Sequence, residues 1–361
     1  MKKVLFVSPS LVGAGAERVL CNILNNLDRS RFDVTLLLVL KADNKFLDIL
    51  AKDIKVIDLA STKSLKANAF KVLNVVRKLK PDSVFVANGH LGLILSPFLI
   101  FFRKYKWVVR ETNFVSKNVD GVLAKLFYRF FYANFDVIVA QCNDMAKDLI
   151  DNFKISSRKV FIINNPVDTD LIDLCLKNDK KVCLGRSDKI NLLACGRLTY
   201  QKGFDMLIDC FSKAEIIDDY HLSIIGEGER NRRDVEEKLK QQVNNLGIDG
   251  KVEFLGYQDN VYSYLRSADV FVLSSRFEGF SNVLLEAIYC GTPVLVNNCP
   301  GGVAEVVESE SIGLIYDFVN NDFQDKLNHI SKLNFNEVYM KNYIKNKFGV
   351  EVIVKQYAEL I

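Results

Sequence analysis

The chain is poor in the residues that build metal sites and disulfide frameworks. It has three histidines and eight cysteines in 361 residues, and no two cysteines form a Cys-x-x-Cys pair. Zinc ribbons need such pairs, and disulfide scaffolds are typical of short secreted chains. We therefore expect reduced thiols, as in intracellular proteins, and no structural metal.

The chain also lacks an apolar run that could cross a membrane. The most apolar window, residues 83–102, is interrupted by polar residues and by Gly89 and Pro97. Its longest clean portion is shorter than the roughly 20 residues that a bilayer requires. The strand-like run Val4–Val7 follows the first residues directly, without the core and cleavage site of a signal peptide. These features predict a cytoplasmic protein that is not an integral membrane protein.

The composition that remains is globular, and its charge is uneven. Hydrophobic residues make up 49% of the chain and charged residues 25%, which excludes a disordered chain. Residues 1–170 carry 26 Lys and Arg against 16 Asp and Glu, a net charge of +10, whereas residues 171–361 carry 22 against 28, a net charge of −6. The basic half predicts an anionic partner, either a membrane surface or a phosphorylated substrate; the alternative is a solvated lysine-rich face. Nucleic acid is disfavoured, because no RNP-like or helix-turn-helix pattern accompanies the basic residues.

Short apolar runs alternate with helical stretches along the whole chain, a pattern that predicts parallel sheets covered by helices on both faces. The strand candidates of the first half are Val4–Ser8, Val34–Leu40, Ile54–Asp58, Ser83–Ala87, Trp107–Arg110, Val137–Ala140 and Val160–Ile163. The pattern restarts with Ile190–Ala194, His221–Ile225, Val252–Leu255, Val270–Leu273 and Val294–Val296. We predict two consecutive doubly wound α/β domains, with the boundary near residue 170 and ligands at the carboxyl ends of the strands.

In each domain, a glycine-bearing loop follows the first strand. Gly13–Arg18 can approach a ligand closely and present helix N–H groups to an anion, although Arg18 stands where a dinucleotide fingerprint has its third glycine. A tight structural turn is an equal interpretation of this loop. Gly196–Gly203 places Arg197 and Lys202 between a strand and a helix, where the two cations can grip a diphosphate.

The most specific segment is Phe277–Pro293. Ser281 as N-cap, Gly291 after the last turn and Pro293 beyond it predict a helix over Asn282–Cys290. Its positive N-terminal end favours phosphate, and the carboxylates of Glu278 and Glu286 can accept hydrogen bonds from hydroxyls. The alternative is an ordinary capped helix with two unrelated glutamates.

Glu278 and Glu286 form a Glu-x(7)-Glu motif. Together with Gly13–Arg18, Gly196–Gly203, Ile225–Gly228 and Phe254–Tyr257, the chain resembles the retaining family-4 glycosyltransferases of GT-B fold. The resemblance covers nearly the whole chain and is stronger in its second half. It implies two facing Rossmann-like domains with a cleft between them. Residues 1–170, joined by a C-terminal helix over 339–361, would bind the acceptor, and residues 171–338 would bind the nucleotide sugar.

The resemblance also implies roles for residues of the donor site. Arg197 and Lys202 would hold the donor diphosphate, and Glu278 would position the transferred sugar; these are the three candidate catalytic residues. The other implied donor contacts are Gly15 at the phosphate or acceptor, Glu286 at the ribose, Tyr257 at the base, and Gly279, Phe280, Ser281, Asn282 and Val283 along the sugar. UDP is the expected nucleotide, while the residues leave GDP, the sugar and the linkage open.

The first domain departs from the family pattern at one place. Many relatives carry a histidine after the strand that corresponds to Trp107–Arg110, and here Glu111 and Asn113 follow that strand instead. Both are candidates for contact with the sugar or acceptor, and so are Arg18 and His90. The resemblance implies no metal and no cofactor, and the Asp168-Thr169-Asp170 sequence is interpreted as structural rather than as a metal motif.

Two segments of the basic half combine aromatic and basic residues, namely Pro97–Trp107 and Val122–Phe135. They predict either peripheral contact with an anionic membrane on its cytoplasmic face or helices packed in the domain core. Membrane contact suits a lipid-diphosphate-linked glycan acceptor, as in the synthesis of bacterial surface polysaccharides such as O-antigen. Three rivals remain: a sugar-nucleotide epimerase of the same fold, a non-catalytic nucleotide-sugar-binding subunit, and, more weakly, a nicotinamide dehydrogenase.

Overall fold

The computed structural model describes residues 1–13, 15–117, 119, 121–178, 182–228 and 234–361. Ala14, in the predicted Gly13–Arg18 loop, lies outside the described residues. The chain divides into two compact units, one formed by Met1–Pro166 with Phe348–Ile361 and the other by Val167–Lys347. The predicted boundary at residue 170 falls inside a helix, Thr169–Asn178, that belongs to the second unit.

The first unit alternates strands and helices. Its strands are β1 (Lys2–Ser8), β2 (Phe32–Leu40), β3 (Lys55–Ser61), β4 (Ser83–Val86), β5 (Lys106–Arg110), β6 (Val137–Ala140) and β7 (Val160–Ile162). Its helices up to this point are α1 (Gly15–Asn26), α2 (Leu65–Leu79), α3 (Gly89–Leu95), α4 (Val122–Phe131) and α5 (Asn143–Lys147). Among the described residues these strands form one sheet in the order β3-β2-β1-β4-β5-β6-β7, and every pairing is parallel.

The second unit repeats this plan. Its strands are β8 (Ile190–Cys195), β9 (Tyr220–Ile225), β10 (Val252–Gly256), β11 (Val270–Leu273), β12 (Val294–Asn297) and β13 (Gly313–Tyr316). Its helices are α6 (Thr169–Asn178), α7 (Phe204–Ser212), α8 (Asp234–Asn245), α9 (Val261–Ser267), α10 (Asn282–Tyr289), α11 (Val303–Val306), α12 (Phe323–Ile330) and α13 (Glu337–Phe348). The sheet order is β10-β9-β8-β11-β12-β13, again parallel throughout.

The strand β13 is missing from the prediction. It has four residues and begins at Gly313, so its apolar run is too short to stand out. The glycine is required by the pairing with β12, because a Cβ there would lie 2.1 Å from the carbonyl oxygen of Val294.

The C-terminal stretch Tyr339–Ile361 is two helices rather than the single predicted one. Gly349 separates α13 from α14 (Val350–Leu360). The apolar face of α14 belongs to the core of the first unit, where Tyr357 stacks edge-on against Phe85 with ring centroids 5.8 Å apart. Burial of such residues anchors the end of the chain to the first unit.

Each sheet changes winding direction at one point, between β1 and β4 in the first unit and between β8 and β11 in the second. Ligands of open parallel sheets bind at the carboxyl ends of the strands beside this point. The loops that follow β8 and β11 are therefore the structural candidates in the second unit, and those that follow β1, β4 and β5 are the candidates in the first.

Candidate functional site

The loop after β8 is shaped by two glycines. Gly203 adopts a left-handed conformation (φ 65°), and a Cβ at this position would lie 2.2 Å from the carbonyl oxygen of Ser274. The stem of Lys202 lies against Gly196, where a Cβ would be 3.0 Å from Cε of the lysine. The glycines thus let the loop close on the strand end and aim Lys202 at the neighbouring loop.

That neighbouring loop follows β11 and carries Glu278. The ammonium of Lys202 lies 2.6 Å from Oε1 of Glu278, and the two side chains are only 16% and 7% exposed. Ser275 donates a second hydrogen bond to the same carboxylate oxygen. The backbone N–H of Glu278 donates to Pro300 (2.9 Å), which fixes the residue from the β12 side as well. The arrangement is a largely buried ion pair whose carboxylate is held by two donors on one oxygen.

Arg276 joins the two loops, and sequence reasoning did not find it. Its guanidinium makes two hydrogen bonds to Asp205 (2.8 and 2.6 Å), donates to the carbonyl of Tyr200 (2.8 Å) and lies 4.0 Å from the ring centroid of that tyrosine. Its backbone N–H donates to Gln201. The residue occupies the second position before Glu278 in a strand-end loop, and only this location could have singled it out.

Helix α10 begins at Asn282 and ends at Tyr289, close to the prediction. Ser281 occupies the N-cap position, but its hydroxyl makes no capping hydrogen bond, in contrast to the prediction. The oxygen is buried and has no hydrogen-bond partner among the described residues. Because buried hydroxyls normally find partners, this one is suited to accept or donate a hydrogen bond to a bound molecule at the helix N-terminus. Gly279 and Phe280 are buried beside it, whereas Val283 is half-buried.

Electrostatic contacts bring Glu286 into the same region. Burial and the nearby carboxylate of Glu286 together raise the pKa of the Cys195 thiol, at the end of β8, to about 12, against the lowering effect of Lys202. Glu286 and Lys202 therefore both lie near one strand end. The structure thus brings three of the candidate residues, Lys202, Glu278 and Glu286, to one region.

Arg197 and Tyr257 lie at the same edge of the sheet, on the loops after β8 and β10. Both side chains are exposed. The loops after β8, β9 and β10 are tied by backbone hydrogen bonds from Gly196 to Ile225 and from Gly226 to Gly256, each 2.9 Å long. The positions of the predicted phosphate and base contacts are therefore coupled through the backbone.

The first unit has a cavity of about 960 Å³ beside its strand ends. Its polar lining includes Asn88, His90, Glu111 and Asn113, and its apolar lining includes Phe70, Phe98, Leu123 and Phe127. The structure thus brings the candidates His90, Glu111 and Asn113 to one cavity. His90 is exposed, whereas Glu111 is buried at 5% exposure.

The Glu111 carboxyl has close neighbours at both of its oxygens. Tyr132 donates a hydrogen bond to one of its oxygens, and a Cβ on Gly89 would lie 2.0 Å from the other. The pKa of Glu111 is raised to about 7, because burial outweighs the lowering effect of the Tyr132 hydrogen bond. The group can therefore accept or release a proton near neutral pH, as acid–base groups in active sites do.

Gly15 and Arg18, at the start of α1, do not line this cavity. Gly15 is exposed, and the Arg18 guanidinium lies 5.6 Å from the ring centroid of Phe46. Glu17 accepts a hydrogen bond from the backbone N–H of Gly13 (2.8 Å), so its side chain orders this loop.

The Asp168-x-Asp170 sequence begins α6. Asp168 accepts a hydrogen bond from the N–H of Leu171 (3.0 Å) in the first turn, which is a capping role. Within the described part of the chain, no group of three or more His, Cys, Asp or Glu could hold a metal ion. In that same part, no helix combines the length and apolarity that a membrane span requires.

Comparisons with known proteins assign both units to families. The family model described as Glycosyltransferase Family 4 matches residues 13–171, and the one described as Glycosyl transferases group 1 matches residues 177–347. An uncharacterised glycosyltransferase of Methanocaldococcus jannaschii is 28% identical over 254 residues, 66% of this chain but 61% of that protein, so the chain spans less than two thirds of this relative.

A second relative is matched along most of its length. The N-acetylgalactosamine-N,N'-diacetylbacillosaminyl-diphospho-undecaprenol 4-alpha-N-acetylgalactosaminyltransferase of Campylobacter jejuni is 28% identical over 335 residues, 89% of this chain and 88% of that protein. The crystal structure of Anabaena HepE in complex with UDP matches with a TM-score of 0.79 over 99% of each chain, at 20% identity. The predicted fold class is confirmed, and the chain belongs to the glycosyltransferases of GT-B fold, with an N-terminal family-4 domain and a C-terminal group 1 domain.

Proposed function

We propose that this glycosyltransferase transfers a hexose or N-acetylhexosamine from a UDP-sugar, with retention of configuration, to a lipid-diphosphate-linked glycan in surface polysaccharide synthesis. The observation that carries the proposal is the buried ion pair of Lys202 and Glu278 at the winding switch of the second sheet, with Glu286 beside it. Cations for a diphosphate and carboxylates for hydroxyls are the two kinds of group that a nucleotide sugar requires.

The donor is assigned to the second unit. Lys202 and Arg197 would bind the diphosphate, Glu286 the ribose and Tyr257 the base. Asn282 and Ser281 would place the N-terminus of α10 against the phosphates or the sugar, where the unpartnered hydroxyl of Ser281 can bond. UDP as the nucleotide is supported by the UDP complex of HepE, which shares the fold.

The chemistry follows from the charges. When the sugar leaves, negative charge develops on the UDP diphosphate, and fixed cations lower the energy of that transition state. Glu278 already shares one oxygen with Lys202 and Ser275, so it is suited to orient the sugar hydroxyls rather than to attack the sugar as a nucleophile. We therefore favour a front-face reaction, in which a donor phosphate oxygen takes the proton of the acceptor hydroxyl.

The acceptor is assigned to the cavity of the first unit. Its volume of about 960 Å³ is at the upper end of small-molecule sites, enough for a sugar residue with an apolar neighbour. Glu111 and Asn113 would bind acceptor or sugar hydroxyls, and the aromatic wall suits the faces of sugars or a lipid chain. The Campylobacter relative, whose name gives a diphospho-undecaprenol-linked acceptor, supports a lipid-linked substrate.

Membrane contact is proposed for two exposed apolar surfaces. Leu123 and Phe130 on α4 are 83% and 65% exposed, and Phe101, in the 3₁₀ turn that follows α3, is 79% exposed. The net charge of +10 over residues 1–170 favours an anionic bilayer. We expect the protein to float with vesicles containing phosphatidylglycerol, and the Leu123→Asp, Phe130→Asp double variant to stay unbound.

The function is tested by incubating the protein with single UDP- and GDP-sugars and a mixture of polyprenyl-diphosphate glycans, with products weighed by mass spectrometry. A glycan heavier by one sugar residue supports the proposal and names the donor. Lys202→Met should abolish the product, whereas Lys213→Met, at an exposed position just after α7, should not. Consumption of the sugar nucleotide without a heavier glycan would favour the epimerase, and nucleotide binding without any reaction would favour the non-catalytic subunit.

A further inference from the structure

The ion pair between Lys202 and Glu278 sets a constraint on what the site can bind. The same ammonium that would hold a diphosphate is 2.6 Å from a carboxylate, and both groups are largely buried. A diphosphate that reaches Lys202 must therefore also lie close to the negative charge of Glu278. Two like charges at such distances repel strongly where water is scarce.

Glu278 has little freedom to move away. Its backbone N–H is bonded to Pro300, and Gly301 packs so closely that a Cβ there would lie 2.1 Å from the carbonyl oxygen of Glu278. Ser275 holds the carboxylate itself. The repulsion toward a bound phosphate is consequently not relieved by displacing the residue.

A nucleotide sugar and a free nucleotide present different groups to this carboxylate. In UDP-sugar, the β-phosphate is esterified and sugar hydroxyls are available to donate hydrogen bonds to Glu278. In UDP, the sugar and its donors are gone, and the terminal phosphate gains a further ionisation with a pKa of about 6. The free nucleotide therefore meets the carboxylate with more negative charge and fewer donors.

We propose that Glu278 discriminates between the nucleotide sugar and the free nucleotide, so that it selects the donor and promotes release of UDP after transfer. The proposal rests on the proposed function, in which Lys202 binds the diphosphate and Glu278 faces the sugar. In UDP-sugar, the sugar hydroxyls donate hydrogen bonds to the carboxylate of Glu278, and this compensates its negative charge while Lys202 binds the diphosphate. After transfer that compensation is lost, and Glu278 competes with UDP for Lys202.

The test is calorimetric titration of UDP into the full-length wild type, Glu278→Gln and a matched control, Glu310→Gln, whose side chain is 65% exposed. We expect Glu278→Gln to bind UDP roughly tenfold more tightly than the wild type, because one like charge is removed from a partly buried site. The control should bind as the wild type does. The KM for UDP-sugar should not fall in parallel, so the ratio of UDP affinity to donor affinity should rise.

A second variant covers the case in which Glu278→Gln fails to fold, which thermal melting reveals. Ser275→Ala removes one hydrogen-bond donor from the carboxylate of Glu278. It should weaken UDP binding, which is the opposite of the change expected for Glu278→Gln. Unchanged or weaker UDP binding by folded Glu278→Gln overturns the inference and leaves the proposed function standing, provided that the wild type binds UDP. If the wild type does not bind UDP, both the inference and the proposed function fail.

Discussion

Arg276 offers a test of how the two loops of the candidate site, after β8 and after β11, are held in place. Its bidentate contact with Asp205 is shielded on the arginine side, which is 18% exposed, while the aspartate is 48% exposed. Such a pair is worth more than an exposed ion pair, and we estimate about 1–2 kcal/mol. Contact with the ring of Tyr200 adds roughly 0.5 kcal/mol or more. Arg276→Met should remove most of this free energy.

The loss should be local. A change of about 1.4 kcal/mol corresponds to a tenfold change in an opening equilibrium. We therefore expect hydrogen exchange in residues 199–205 and 274–278 to accelerate by roughly tenfold. Because Lys202 and Glu278 lie on these loops, small displacements should lower turnover by roughly ten- to a hundredfold. Exchange in the first unit should not change.

The pH dependence of this effect has a definite sign. Burial raises the pKa of Asp205, but its hydrogen bonds and charge contact with Arg276 outweigh burial, and the net pKa is lowered. The pair therefore stabilises the fold above the unfolded pKa of about 3.9 and loses that contribution as the pH falls through the lower folded value. The difference between wild type and Arg276→Met should be full at pH 7 and shrink in acid.

Hydrogen exchange by mass spectrometry and steady-state kinetics measure both consequences, and Asp205→Asn completes a double-mutant cycle. The single and double variants should show similar losses, because each breaks the same contact. Additive losses, or turnover of Arg276→Met within twofold of the wild type, would refute the reasoning. The loops would then be held by their backbone hydrogen bonds alone.

Three further outcomes follow from the site. Lys202→Met and Arg197→Met should each lower kcat by about a hundredfold or more through loss of leaving-group stabilisation, and near-normal kcat in either would remove the diphosphate assignment. Glu111→Gln should flatten the pH dependence of the free energy of unfolding. The folded pKa of Glu111, about 7, lies above the unfolded value of about 4.3. The wild type therefore loses stability as the pH rises from about 4.3 through about 7. Denaturation followed by the fluorescence of Trp107, the single tryptophan, measures this in the first unit, and a parallel pH profile for both proteins would contradict it. Removal of metal ions with EDTA should leave turnover unchanged in a coupled UDP-release assay; loss restored by magnesium or manganese would show a metal-dependent mechanism.

The repeated strand pattern was accessible from the sequence because buried parallel strands are apolar on both faces. Twelve of the strands coincide with predicted runs, within a few residues at their ends. The missed strand, β13, is short and begins with Gly313, whose role depends on its distance from Val294 in another strand. The break at Gly349 was missed for a related reason, since the helical pattern continues on both sides of a single glycine.

Parts of the site could also be predicted, because its residues occur in local motifs. Glu278 and Glu286 are candidates because of their Glu-x(7)-Glu spacing, and Lys202 because of its strand-end loop. The contact between Lys202 and Glu278 joins residues far apart in the chain, so no local pattern predicts it. Arg276 was missed because its partner Asp205 lies in the first turn of α7, far away along the chain. The unpartnered hydroxyl of Ser281 was likewise beyond pattern reasoning, which predicts a cap wherever a serine precedes a helix.

The central claim is that the strand-end loops of the second unit bind the diphosphate of a UDP-sugar. A crystal structure of the protein with bound UDP tests it most directly. We expect phosphate oxygens within hydrogen-bonding distance, about 3 Å, of Lys202 and of the Arg197 guanidinium, and the ribose hydroxyls at Glu286. A diphosphate bound elsewhere, for example on the Gly13–Arg18 loop with Lys202 remote from it, would contradict the claim.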